Sequence, residues 1–334
     1  MINLLDDLIG NEILKENLKA TIDSEKLSHS YLIEGNIGSG RHTLSTILAS
    51  SIVCTSENNK PCGICRDCKK VINKSHPDII NVDLLKDKKS IGVEEIRELC
   101  KDIYISPNEA VKKVYVFQNA HLITPLAQNV LLKSIEEPPP FVAFIFIMED
   151  GYHLIPTVVS RCVKLSLTPV KEMQVLNYIK DLNINAKQEK ISEAVRFSEG
   201  LIGKALNILK DNSKNKTKGL CDSFFEVLLN QKEYDFILLS DKCAGKERDK
   251  YSEFLEVLYT FLRDISVYKI SRNENNLIFF DRRLNISLFS DKMTNRQILK
   301  LMDYTIETIN ALEQSCNFSL WTNSFFAKCW EEVH

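Results

Sequence analysis

Gly35-Asn36-Ile37-Gly38-Ser39-Gly40-Arg41-His42-Thr43 decides the reading of this chain. It follows the short apolar run Tyr31-Leu32-Ile33 and opens a helical pattern, which is the context a phosphate-binding loop requires. Glycines let successive backbone amides turn toward one anion at a helix N-terminus, where the helix dipole adds to the attraction. The residues behind the glycines depart from that pattern. Arg41 stands where a lysine would reach the terminal phosphates, and His42 where a hydroxyl would hold magnesium. Arginine still pairs with phosphate, whereas imidazole is a poor ligand for an ion that prefers oxygen. Two readings stay open for Gly35, Gly38, Gly40 and Arg41: a degenerate phosphate cradle, or a glycine turn serving only strand-to-helix packing.

Outward from the loop, residues 1–169 alternate short β-like runs with helical patterns, the signature of an α/β layered domain with a parallel sheet. Tyr31-Leu32-Ile33, Ile79 to Val82, Val114 to Phe117 and Val142 to Met148 are the strand candidates. Val93, Ile96, Leu99, Cys100 and Ile103 recur at helical spacing behind Ser90, a candidate N-cap, with Glu94 and Glu95 in the first turn. Another helix opens at Thr124-Pro125 and is stopped by Pro138-Pro139-Pro140. The strand Val114 to Phe117 runs into Gln118-Asn119-Ala120-His121, where a nucleotide hydrolase needs one carboxylate for magnesium and one to orient water. An amide neither deprotonates water nor neutralises a dication. With the lysine, the hydroxyl and both acids missing, the chain is expected not to hydrolyse ATP by itself.

After Pro169 helical patterns dominate. Residues 170–212 read as a small helical lid domain carrying the turn Glu199-Gly200-Leu201-Ile202-Gly203-Lys204. The polar stretch from Lys210 to Lys216 is the linker candidate. Beyond it, apolar residues recur three to four apart through Phe254, Leu255, Leu258, Phe261, Leu262 and Ile265, and again from Ile298 to Ile309. Residues 213–334 therefore read as an all-α domain.

At 334 residues the chain exceeds the usual ceiling for a single core, which agrees with this division. Its 43 basic and 45 acidic side chains leave a net charge of -2, with no whole-chain field to draw in a polyanion. The longest apolar run, Phe141 to Met148, is far short of the roughly 20 residues that cross a bilayer, so no membrane association is expected. Two acids follow immediately on Met1-Ile2-Asn3-Leu4-Leu5 and no basic segment precedes them, so the start does not read as a secretion signal and the expected compartment is the cytosol.

Cys54, Cys62, Cys65 and Cys68 are spaced C-x7-C-x2-C-x2-C. Two residues between sulfurs allow neighbouring thiolates to meet one tetrahedral ion, and Lys60, Arg66, Lys69 and Lys70 suit the surroundings of an anionic tetrathiolate. Structural zinc is the reading; free thiols are its rival, and a disulfide fits poorly with a reducing cytosol. The other cysteines, at 100, 162, 221, 243, 316 and 329, read as small core residues. Ser160-Arg161-Cys162, taken alone, reads as a solvated or salt-bridged arginine.

In combination these segments resemble the clamp-loader branch of the AAA+ family, as found in bacterial DNA polymerase III. The resemblance rests on Leu27 to Leu32, the eroded loop, the four-cysteine insertion, Ile91 to Leu99, Asn129 to Pro139 and Ser160-Arg161-Cys162, about the first half of the chain. It implies an AAA+ core over 1–169 with a zinc-binding insertion at 54–68, a lid over 170–212, and a helical collar over 213–334. Through the collar, five subunits would associate: ATPase subunits, a delta subunit and this chain in a heteropentamer that loads a sliding clamp onto primed DNA. It also implies that Arg161 serves as an arginine finger toward ATP held by a neighbouring subunit. The eroded loop favours a non-hydrolysing role over a motor role. Two alternatives are an active clamp-loader ATPase that uses Arg41 in place of lysine, and a zinc-dependent DNA-binding module.

Overall fold

The computed structural model describes residues 4–57, 59–84, 88–149, 153–184, 186–210, 214–245, 248–313 and 317–334. Residues 1–3 of the start, Cys316 and positions 211–213 of the candidate linker lie outside the described residues. Two compact units are present, one formed by residues 1–184 with 198–205, the other by 185–197 with 206–334.

In the first unit, β1 (Ser30–Glu34), β2 (Ile79–Val82), β3 (Lys113–Phe117), β4 (Val142–Met148) and β5 (Val163–Ser166) form a parallel sheet in the order β2-β3-β4-β1-β5. Register is set by pairs such as Tyr31 with Ile145, Tyr31 with Val163, Tyr115 with Phe144 and Ile80 with Tyr115. Alternate residues of each inner strand supply two cores. Tyr31, Ile33, Val114, Val116, Ile145 and Ile147 pack on one face with Leu44, Ile47 and Leu48 of α2 (Arg41–Val53) and Leu18 and Ile22 of α1 (Glu12–Asp23). Leu32, Tyr115, Phe117, Phe144, Phe146 and Met148 pack on the other with Ile96 of α4 (Val93–Asp102) and Leu131 and Ile135 of α5 (Pro125–Glu136). Burial on both faces is what makes these strands continuous apolar runs.

The expected strands are all present, and β5 is an addition. Its residues are exposed except for half-buried Leu165, so the alternation in Val163-Lys164-Leu165-Ser166 carries little hydrophobic signal. Ser90 does not cap a helix, which is a correction. Ile91 is buried and bridges in parallel to Ile123, donating to the Leu122 carbonyl at 2.8 Å, so α4 starts later, with Gly92 as its cap. Thr124 caps α5 as expected, its hydroxyl accepting from the Ala127 amide. The remaining helices of this unit are α3 (Arg66–Ile72), the four-residue α6 (Pro156–Val159) and α7 (Glu172–Asp181).

The second unit is helical: α8 (Gln188–Phe197), most of α9 (Ile202–Lys210), α10 (Lys214–Leu229), α11 (Glu233–Ala244), α12 (Arg248–Ser271), α13 (Arg283–Lys292), α14 (Asn295–Glu313) and α15 (Phe318–Val333). Phe224 is the centre of an aromatic core, its ring centroid 5.2 to 6.3 Å from those of Phe225, Phe236, Phe254, Phe325 and Phe326. Lys218 is buried against Phe279, with Nζ 2.6 Å from Glu193 and 3.2 Å from Asp281. The buried Asp264 carboxylate accepts the Ile278 and Phe279 amides, and Arg196 donates to the Leu277 carbonyl at 2.7 Å. The Arg196 bond and the Lys218 bridge fasten α8 to the 277–281 segment, and Asp264 ties α12 to it. Among the described residues no helix is long and apolar enough to cross a membrane.

Candidate functional site

β1 lies inside the sheet, and the chain leaving it returns at the far edge as β2, past β4 and β3. The carboxyl end of such a strand is where open parallel sheets place ligands. The loop there begins at Gly35, whose amide donates to the Glu149 carbonyl at 3.2 Å, and ends at Gly40, which caps α2. Gly38 and Gly40, with φ of +88° and +100°, adopt the left-handed conformation that turns loop amides toward a common point. Burial pushes the Arg41 guanidinium below its ordinary value, and the Glu149 carboxylate opposes that shift.

Against the loop lies another segment of the same unit. The Gly203 amide donates to the Gly38 carbonyl at 2.9 Å. A Cβ on Gly203 would stand 2.7 Å from Gly38 Cα, and one on Gly38 would stand 2.8 Å from the Lys204 amide nitrogen. The turn that carries Lys204 therefore meets the glycine loop backbone to backbone, a contact only two glycines permit.

Beside the start of α2 is a cavity of about 60 Å³, lined among others by His42, Thr46, Lys74, His76, Asn81 and Gln118, with no carboxylate among the described residues of its lining. Gln118 Nε2 donates to Asn81 Oδ1 at 2.7 Å, and Asn119 Nδ2 to Asp83 Oδ1 at 3.2 Å. The two strand-end amides are thus engaged by side chains that follow or end β2.

Helix α2 ends at Val53, so Cys54 begins the insertion at the far end of the helix that starts at the loop. The sulfurs of Cys54, Cys62, Cys65 and Cys68 lie within 4.8 Å of one another, with Cys54 Sγ and Cys62 Sγ 3.6 Å apart. A tetrahedral ion bonded to sulfur at about 2.3 Å sets neighbouring sulfurs about 3.8 Å apart, so the donor set fits zinc in chemistry and spacing. Backbone amides support it: Cys65 N–H points to Cys62 Sγ at 3.4 Å and Cys68 N–H to Cys65 Sγ at 3.3 Å. Burial alone would raise the Cys65 thiol, but the amide and thiol hydrogen bonds from Cys68 and its neighbours outweigh it and bring it down to about 6. Burial instead pushes Cys54 and Cys68 up.

The insertion is joined to the sheet by charge. Lys70 and Arg66 of α3 both pair with Glu109. Glu109 belongs to a loop whose amides at Asn108, Glu109 and Ala110 all donate to the buried Asp78 carboxylate, at 2.6 to 2.8 Å. Burial alone would raise that carboxyl; the amide bonds prevail and hold it below the usual carboxylate range.

Arg161 follows α6, on the side of the sheet covered by α5. Its Nη2 lies 2.7 Å from Glu136 Oε1, while Nη1 donates to the Thr157 carbonyl at 2.8 Å and to Ser160 Oγ at 3.3 Å. The side chain keeps 37% exposure, within reach of an outside anion. Cys162 next to it packs into the core, where burial pushes its thiol up to about 12. The loop entering α6 is held by buried Gln128 of α5, which accepts the Ile155 amide at 2.7 Å and donates to the Ile123 and His153 carbonyls. Sequence patterns alone do not single out Gln128 or Asp78, and they give Glu136 no partner. Gln128 adjoins Asn129, Asp78 follows His76-Pro77 and Glu136 adjoins Glu137, so none leaves a distinct signal in its own window.

A five-stranded parallel sheet with a glycine loop behind its inner first strand, a clustered four-cysteine insertion and an arginine after β4 are the features in which the chain resembles AAA+ proteins of the clamp-loader kind. The chain resembles the delta-prime subunit of the bacterial DNA polymerase III clamp loader. Residues 10–171 match the family described as DNA polymerase III, delta subunit. DNA polymerase III subunit delta' of Bacillus subtilis is 25% identical over 299 residues, 89% of each chain. The delta' subunit of Haemophilus influenzae is 27% identical over 280 residues, 84% of this chain and 83% of that one. A solved DNA polymerase III gamma subunit-related protein of Thermotoga maritima aligns over 96% of this chain and 99% of that one, with 18% identity and a TM-score of 0.44.

Proposed function

We propose that this chain is a clamp-loader subunit that hydrolyses no ATP of its own, holds a heteropentamer with ATPase and delta subunits together, and offers Arg161 to ATP bound by a neighbour. The complex would load the sliding clamp onto primed DNA. One observation carries the non-hydrolysing part: Arg41 and His42 open α2 behind the glycines, and β3 ends in the amides Gln118 and Asn119, engaged by Asn81 and Asp83, where a dication and the attacking water would need carboxylates. Gly203 on Gly38 adds to it, because the loop is already engaged by the chain's own backbone. The delta' subunits to which the chain is similar support the assignment to a clamp loader.

In the same reading, Cys54, Cys62, Cys65 and Cys68 hold one zinc ion, which supplies a tetrahedral cross-link and no reaction. Arg161 stabilises the charge that develops on a transferred phosphoryl group, an effect typically worth about 10³ to 10⁵ in rate. The test uses reconstituted complexes in which only the adjoining ATPase site is competent. Arg161→Ala should leave assembly intact and lower turnover there by about 10³ or more. Arg161→Lys should rescue little, since an ammonium lacks the planar fork. Unchanged turnover would overturn the role of Arg161. Magnesium-dependent turnover by the isolated chain, abolished by Gly40→Asp, would show instead an active ATPase.

A further inference from the structure

We infer that Glu136 is a positioning residue for Arg161, an inference that rests on the arginine-finger reading above. Glu136 is the last residue of α5, where the partial negative charge of the helix end disfavours a carboxylate. Its ion pair with Arg161 is exposed on both sides, at 37% and 44%, and such pairs add little to stability. Neither the helix nor the fold gains from a glutamate here. The arginine gains a fixed orientation: Glu136 takes Nη2 while Thr157 and Ser160 take Nη1. Those three contacts leave two of the five N–H donors of the guanidinium for an outside anion.

The support is rigid. Helix α5 also holds the chain entering α6, through Gln128 and the Ile155 amide, so one helix sets both the start of the segment and the direction of the side chain it presents. An arginine already held in place loses less rotamer freedom on meeting a phosphoryl group. Freeing it costs about three- to tenfold in rate, the range for one rotamer-rich side chain.

The experiment uses the whole complex with only the adjoining site competent, and compares Glu136→Ala, Glu136→Gln, Arg161→Ala and the Glu136→Ala/Arg161→Ala double variant. Glu136→Ala should lower kcat about three- to tenfold with KM for ATP unchanged. Glu136→Gln, which keeps an acceptor oxygen, should lose less. In the Arg161→Ala background, Glu136→Ala should have no further effect, because there is no side chain left to orient. If Glu136→Ala leaves kcat unchanged while Arg161→Ala lowers it, the positioning role is overturned and the finger stands. The positioning role is equally overturned if the Glu136→Ala loss persists in full beside Arg161→Ala. If Arg161→Ala itself changes nothing, the finger reading fails, and the inference with it.

Discussion

Gly203→Ala tests the contact between the glycine loop and the 198–205 segment by the sign of its effect. Gly203 is the second residue of α9 and its φ lies outside the left-handed region, so helix propensity alone favours alanine by up to about 1 kcal/mol. The contact acts in the other direction. The new Cβ would stand 2.7 Å from Gly38 Cα, whereas carbon atoms settle at about 3.5 to 4.0 Å, so the two backbones must part by about 1 Å. That strains or breaks the bond from the Gly203 amide to the Gly38 carbonyl, worth about 1 kcal/mol, and overpacking adds about 1 to 3 kcal/mol. The net expectation is a destabilisation of about 1 to 3 kcal/mol, confined to the first unit. Both tryptophans, Trp321 and Trp330, lie in the second unit, so their fluorescence does not report the change. Native-state hydrogen exchange of β1 and β4 amides does, and should accelerate about 5- to 150-fold. Slower or unchanged exchange would mean that alanine follows helix propensity and that the contact does not form.

Three further outcomes are expected. Asp78→Asn should cost about 2 kcal/mol at pH 7, since hydrogen bonds to a charged group are lost. Because the folded carboxyl lies below its unfolded value, its contribution is fully present above about pH 4 and fades as pH falls through the depressed value, so acid unfolding of the two proteins should converge there. Elemental analysis should find one zinc per chain, and a chelator should speed exchange across residues 54–72 while sparing β3 and β4; absence of zinc from protein purified without chelator would refute the site. Lys218→Met should destabilise the second unit by about 3 kcal/mol, the low end for breaking a buried pair because Asp281 is partly exposed, with tryptophan fluorescence against urea as the readout.

What the sequence made legible follows from where each signal resides. The three inner strands buried between helices announced themselves as apolar runs, edge strand β2 as a shorter and partly exposed one, and the Pro125 and Pro138 boundaries of α5 as backbone constraints that act within one or two residues. The four cysteines were legible because ligand spacing is local as well. The contacts that orient the candidate site were not. Glu136 and Arg161 are 25 positions apart, Asp78 and its amide donors about 30, and Gly38 and Gly203 far more. Each of these residues is unremarked in its own window and acquires its role only once the sheet brings the segments together. Ser90 erred in the opposite way: a good local capping residue, placed two positions early because Ile91 was taken up by a bridge to Ile123.

The interleaving of the two units along the chain bears on how a ribosome delivers them. β1 pairs with β4 and β5, so the sheet cannot close until residue 166 has emerged, and its last piece, 198–205, follows behind α8. Helix α8 is made before that piece, yet its anchors, Lys218 and the 277–281 segment, are among the later residues synthesised. Neither unit can therefore be completed as an uninterrupted stretch of nascent chain. For a time during synthesis, α8 trails from a nearly finished sheet with its own partners still untranslated, and that interval is when the chain has most need of protection from wrong contacts.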